Sequence, residues 1–423
     1  MIAQATRHMF LIFAGVCGIY PTDCLAHDLR TLATAGLLNP NTCETVSPAE
    51  PFVPPANGYV RKYNTVAHRF LDEEVGAGDV NPAMYAILDT IIDESVAVLK
   101  PYADNLSGVR SKEFAVDSLK TIDCILLRHG FVYPGRGLVQ LLSDGLGETR
   151  YDIVGDLDQL RTQSHNVRRR RFIDTRGTGP FYVVDCDVAS YLYLGIAEVM
   201  KYPLHLVEIP RHNFVRWEFG PGSHVNFETM DGSETDDAYY KVNWMIVDAF
   251  IGRGGILGSM NEKQLHAYHE ATVAVAWSWR GDQPHMIETY LRSISIDRTH
   301  ALAQNNLAWF YAAFPKLELR DGRKAVQYGL QTVAVIPDGD SLDTLACAYA
   351  QIGDFSQAVV TELDALKSAY APFSSDIQGD LALFQGRPPR SCNDASFGKD
   401  PAPFRPGHSV ANAPADRDLL RLH

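Results

Sequence analysis

Positive charge is scarce in this chain: 38 lysines and arginines face 51 aspartates and glutamates, a net charge of −13 over 423 residues. So acidic a chain repels phosphate backbones, which argues against nucleic acid as a general partner. The one concentrated exception, Arg168 to Arg171, reads as a solvated face rather than a grip on an anionic polymer. Long apolar runs are also missing. The run from Met9 to Tyr20 has 12 residues, too few to span a bilayer, and no other stretch reads as transmembrane. Behind the positive Arg7 and ahead of Cys24-Leu25-Ala26, that run instead has the layout of a secretory signal over 1–26,. Export to the periplasm or the exterior is the expectation.

Two cofactor signatures are absent as well. Gly252, Gly254, Gly255 and Gly258 form a glycine-rich stretch, but Leu257 occupies the last glycine position of a dinucleotide fingerprint counted from Gly252,. His266 and His269, with Glu262 and Glu270 nearby, lack the zinc-protease spacing and read as polar decoration of a helix,. Neither cofactor nor metal is expected.

Cysteine is sparse, and its odd count is informative. Loss of 1–26 removes Cys17 and Cys24 and leaves five: Cys43, Cys124, Cys186, Cys347 and Cys392. Outside the cytoplasm disulfides persist, and unpaired thiols tend to be buried or reactive. Cys124 and Cys347 lie in apolar helical patterns, where cysteine acts as a small core residue,. Cys43 and Cys392 lie in Pro- and Asn-rich loops and are the candidates for a bridge,. Cys186 is then the expected free thiol.

What is present divides the chain. Residues 27–60 are rich in Pro, Asn, Thr and Ala with no sustained period and read as a loosely ordered leader,. Over 61–150 the pattern turns helical, with Met84, Ile87, Leu88, Ile91, Ile92, Val96 and Val98, then Val116, Leu119, Ile122, Leu126 and Leu127, at helical spacing,. Residues 151–262 mix strand alternation with one long helix that opens at Cys186 and closes at Pro203,. From His212 to Phe219 alternate residues differ in character, Gly220-Pro221-Gly222 marks a turn, and His224 to Thr229 returns as a second strand,. After Gly386, residues 387–423 hold several prolines and few large apolar groups and read as a disordered tail,.

A cysteine at a helix start followed by a histidine and an amide or carboxylate on successive strands is how a thiol nucleophile is assembled. Cys186 is the nucleophile of this reading, favoured as thiolate by the helix N-terminus and by a neighbouring imidazolium. His212 is its base and later its acid. Asn226 and Glu228 share one strand face; Asn226 is the first choice to orient His212 and Glu228 the second. Asp185 is placed to cap the helix, while Asp187 and Asp185 oppose ionisation of the thiol they flank.

The stretch from Cys186 to Tyr240 resembles the transglutaminase-like domain of the papain-like superfamily. It is most similar to a bacterial branch in which that domain precedes tetratricopeptide (TPR) repeats. The matching positions are Cys186 with Ser190, Pro210 with His212, Phe214, Val215 and Arg216, then Asn226, Glu228, Thr229 and Gly232, and Asp236 or Asp237 with Tyr239 or Tyr240. In the last helical unit Leu345, Ala346, Tyr349, Ala358 and Ala365, with Gly353-Asp354 at the turn, resemble a 34-residue TPR unit,. Asn306 to Trp309 with Tyr311 and Ala325, and a more degenerate stretch from Trp277 to Ile296, resemble two more. The chain departs from the commoner glycine-rich approach to the cysteine, having Val183-Val184-Asp185.

The resemblance implies an α+β fold: a transglutaminase-like (papain-like) core over 151–262, a helical N-terminal lobe and a C-terminal all-α TPR array over 263–386. It implies amide hydrolysis or acyl transfer, as an amidase, protease or transamidase, through Cys186, His212 and Asn226, on a cell-wall peptide or a protein. The TPR array would hold a protein or peptide partner. The alternative is a non-catalytic transglutaminase-like/TPR scaffold that only binds such a partner.

Overall fold

The apolar spacing of 84–98 becomes a helix because its stripe has a second helix to bury against. The structure, a computed structural model, describes residues 49, 58–105, 111–133, 141–147, 173–174, 180–210, 212–244, 246, 248–368 and 374–392. Within these, α1 (Val66–Glu73), α2 (Pro82–Asn105) and α3 (Lys112–Arg128) lead to short α4 (Leu142–Gly145). Strands β1 (Phe131–Val132) and β2 (Tyr182–Val183) pair in parallel. Then come α5 (Cys186–Met200), β3 (Leu204–Ile209), β4 (His212–Gly220), β5 (Ser223–Glu228), β6 (Ser233–Thr235) and α6 (Asp237–Asn243). Strands β3 to β6 form one antiparallel sheet in sequence order. The chain is thus mixed helix and sheet. Arg168 to Arg171, the expected signal over 1–26 and nearly all of the expected leader lie outside the described residues.

Helix α5 is the axle of the first core. Val188, Tyr191, Leu192, Tyr193 and Ile196 are buried on it, and it packs against α1, α2 and β4. At Gly195 the start of α1 lies close: a Cβ there would meet Thr65 Oγ1 at 3.1 Å and the Ala67 methyl at 3.2 Å. Asp185 caps the helix start, its carboxylate accepting the Val188 N–H at 3.0 Å,.

The remaining helices, α7 (Glu262–Trp279), α8 (Gln283–Ile296), α9 (Ala301–Ala313), α10 (Gly322–Val335), α11 (Gly339–Gln351), α12 (Phe355–Ser368) and α13 (Ser374–Phe384), build a second core. They pack as successive pairs, α7 with α8, α9 with α10 and α11 with α12, and α13 lies on the last. Helix α7 joins the two bodies, since Tyr268 belongs to the first core and Ala271, Ala274 and Val275 to the second. No helix among the described residues is long and apolar enough to cross a membrane.

The cysteines differ from their expected pairing. Cys392 is bridged to Cys347 rather than to Cys43, and Cys124 is also in a disulfide, with a partner outside the described residues. An apolar helical pattern does not separate a core cysteine from a buried bridge, because both present sulfur to the interior. The bridge also ties down the first residues of the expected Pro-rich tail, leaving Cys392 only 1% exposed. Cys186 is the free cysteine among the described residues.

Candidate active site

Two element starts converge at the site. Cys186 opens α5 and His212 opens β4, while the pairing of β3 with β4 brings Ile209 opposite His212 and Glu208 opposite Asn213. Alternation turns Asn213 toward α5 and sends His212, Phe214 and Arg216 to the other face with Asn226 and Glu228.

His212 is held by Glu228. Its Nε2 lies 2.8 Å from Oε2 and 3.0 Å from Oε1 of that carboxylate. A carboxylate only accepts, so Nε2 carries the proton, and a neutral His212 presents the lone pair of Nδ1. Burial pulls the imidazole down, but the charge and hydrogen bond of Glu228, with the charges of Asp187 and Asp231, raise it above its ordinary value. Glu228 is fixed in turn by the Tyr240 hydroxyl, which donates to Oε1. Tyr240 stacks on Phe214 with centroids 4.1 Å apart, and Trp244 lies nearly parallel to the His212 ring at 5.9 Å.

Asn226, the first expectation for the orienting group, serves another purpose. Its Oδ1 accepts from Arg216 Nε at 2.7 Å and its Nδ2 donates to Asp237 Oδ1 at 2.7 Å. Arg216 Nη2 meets the same Asp237 oxygen at 2.7 Å. Asp236 caps α6 by accepting the Tyr239 N–H. Of the paired alternatives in the sequence motif, Tyr240 is therefore the one that reaches His212, through Glu228, while Asp237 holds the Arg216–Asn226 pair.

Around Cys186 the sequence had offered only part of the picture. Residue 186 is half-buried, but its sulfur lies deep enough that burial is the largest influence on it. Burial, Asp187 and Asp185 push the thiol well above its ordinary value, and a hydrogen bond from the Asn213 backbone N–H acts the other way. Among the described residues no side-chain hydrogen bond joins the sulfur to His212; the Asn213 amide, one peptide from the imidazole, is its contact with β4.

Beneath the thiol lies a polar network absent from the expected site. Asp187 accepts from Asn213 Nδ2 at 2.6 Å and from the Tyr268 hydroxyl at 2.7 Å. Ser190 donates to Asn213 Oδ1 at 2.8 Å. Burial raises Asp187, opposed by these two donors and by the charge of His212. Glu208, opposite Asn213 in the sheet, is pushed up to about 8 by burial and by Asp187. The sequence signal for Asn213 was its place between His212 and Phe214 on the opposite strand face, where a buried amide requires partners.

The histidines of α7 are not free ligands. His269 is wholly buried, stacked on Phe70 at 3.8 Å, with Nδ1 2.9 Å from Glu73 and Nε2 3.1 Å from Glu74. This departs from polar decoration, because the face of α7 that carries His269 packs on α1. Glu73, His266 and Glu270 bring ligand atoms within 4.8 Å of one another. His266 pairs with Glu73 at 3.0 Å and Arg292 with Glu270 at 2.7 Å, so internal ion pairs account for the cluster.

No protein-family model matches this chain, and no curated protein matches it.

Proposed function

We propose that the protein is an exported, transglutaminase-like thiol enzyme that cleaves or transfers the acyl group of an amide through Cys186, His212 and Glu228. The observation that carries the reading is the His212–Glu228 pair, with Nε2 2.8 Å from the carboxylate, next to the peptide whose N–H meets the Cys186 sulfur. Three features of acyl transfer are supplied there: a nucleophile, a base whose tautomer is fixed, and a helix N-terminus for an oxyanion.

In this mechanism the resting thiol is neutral. As Cys186 Sγ bonds to the amide carbon, its proton passes to Nδ1 of His212, and the carbonyl oxygen gains charge beside the Cys186 backbone N–H and the positive end of α5. The C–N bond then breaks, the departing nitrogen takes the proton from His212, and a thioester remains. Water completes hydrolysis, or an amine completes transfer, with His212 again accepting the proton and returning it to the sulfur. Glu228 stabilises the imidazolium at each stage and Tyr240 holds Glu228 in place.

Helices α7 to α12 pair in the manner of TPR units, which suits an array that holds a protein or peptide partner near the site. Cell-wall peptides and proteins are the substrate classes of this reading.

One observation favours the second reading, a binding scaffold with an idle thiol: the sulfur is pushed up by burial and two aspartates. The test is incubation of peptide and cell-wall peptide amides with hydroxylamine, which captures a thioester as hydroxamate. Hydroxamate formed by the wild type and absent with Cys186→Ala supports the enzyme. Hydroxamate formed equally by Cys186→Ala overturns it, and a wild type that binds such peptides without converting them favours the scaffold.

A further inference from the structure

The C-terminal helices enclose a group of carboxylates that no role described so far uses. Asp343 on α11, Glu362 on α12 and Asp380 on α13 each bring one oxygen within 4.8 Å of the others. Glu362 is 0% exposed and Asp343 6% exposed, while Asp380 is half-buried. Neither oxygen of Glu362 meets a nitrogen or hydroxyl donor; its polar neighbours are the carboxylates of Asp343, close enough to share a proton, and Asp380, and the charges of both act on it as negative. A buried carboxylate without a donor or counter-charge costs several kcal/mol, so the charge of Glu362 is neutralised either by a proton held against Asp343 or by a cation.

We propose that Asp343, Glu362 and Asp380 bind a hard divalent cation, calcium in preference to magnesium, that clasps α11, α12 and α13 together. The donor set is oxygen only, which selects hard ions. Calcium holds oxygens at about 2.3–2.6 Å, so two of its ligands lie at most about 5 Å apart, whereas magnesium at about 2.0–2.1 Å requires a tighter, near-octahedral set. The half-buried Asp380 leaves a side open for water ligands. Thiolate ligation is not available, because Cys347, one turn after Asp343, and the adjoining Cys392 are bridged to each other. Cation and disulfide would secure the same end of the helical array.

Glu362→Gln separates the alternatives. It is isosteric and relieves the repulsion, so the metal-free variant folds at least as well as the wild type. The experiment is calorimetric titration of chelator-stripped, full-length protein with calcium chloride under non-reducing conditions, alongside thermal unfolding with and without the ion. One equivalent of calcium per chain, a calcium-dependent rise in Tm, and at least tenfold weaker binding in Glu362→Gln are expected. His266→Ala, which alters the other acidic cluster, keeps wild-type binding. Absence of calcium uptake by the wild type, undiminished uptake by Glu362→Gln, or loss of uptake in His266→Ala overturns the proposal.

Discussion

His212 Nε2 sits 2.8 Å from Glu228 Oε2, and this contact sets the charge of the imidazole against the pull of its own burial. Asn226, two residues earlier on the same face, is taken by Arg216 and Asp237. The difference separates a group that acts on the site from one that holds the sheet.

Asn226→Ala should therefore cost stability rather than chemistry. It removes the acceptor of a buried arginine and leaves Asp237 with one donor fewer, a loss on the order of 1–3 kcal/mol. Denaturant unfolding of the variant checks this. The reactivity of Cys186 should be unchanged in the same protein.

How much of this was legible in sequence follows from register. Periodicity located the helix at Cys186, the strand at His212 and the turn at Gly220-Pro221-Gly222, because burial on one face leaves a direct pattern. It did not choose between Asn226 and Glu228, which alternation puts on the same face. The observed register sets Arg216 directly opposite Asn226, and four residues of strand, roughly 13 Å, separate Arg216 from His212. Glu228, two residues further along β5, is the carboxylate on His212's side. The burial of His269 and the Cys347–Cys392 bridge were illegible for a related reason: both depend on which distant segments meet in the fold.

Asp187→Asn tests the electrostatics of the thiol. The charge of Asp187 helps raise Cys186, and the amide keeps an acceptor for Tyr268 or Asn213. Iodoacetamide alkylation of Cys186 should reach its midpoint at lower pH and run faster at pH 7 than in the wild type. An unchanged profile would leave burial and the remaining carboxylates, Asp185 first, as the causes.

His269 predicts a pH-dependent stability. Burial lowers it, but Glu73 and Glu74 raise its folded value to about 9, against about 6.5 when unfolded. Its contribution is fully present below about 6.5 and is lost as pH rises through about 9, a span on the order of 3 kcal/mol. Unfolding free energies at several pH values should fall across that window in the wild type and fall less in His269→Gln. Parallel decline in both proteins would assign the slope elsewhere.

Removal of the Cys347–Cys392 bridge should weaken the C-terminal helices. The sulfurs join residues 45 apart, for which loop-closure entropy gives about 4 kcal/mol. The double variant Cys347→Ala, Cys392→Ala should show that order of loss in denaturant unfolding, and proteolysis should begin near α13.

The central claim is that His212, oriented by Glu228 and neutral at Nδ1, serves Cys186 as its base, with Glu228 stabilising the imidazolium that results. Its most direct test is the pH dependence of Cys186 acylation by p-nitrophenyl acetate, read by mass at Cys186 in the wild type, Glu228→Gln and Asn226→Ala. The account predicts a wild-type rate that rises with pH through a His212 value above 6.5, the ordinary histidine figure. In Glu228→Gln, where burial prevails, the limb moves to lower pH and the plateau drops; Asn226→Ala follows the wild type. Superimposable profiles for wild type and Glu228→Gln, or a shift confined to Asn226→Ala, would contradict it.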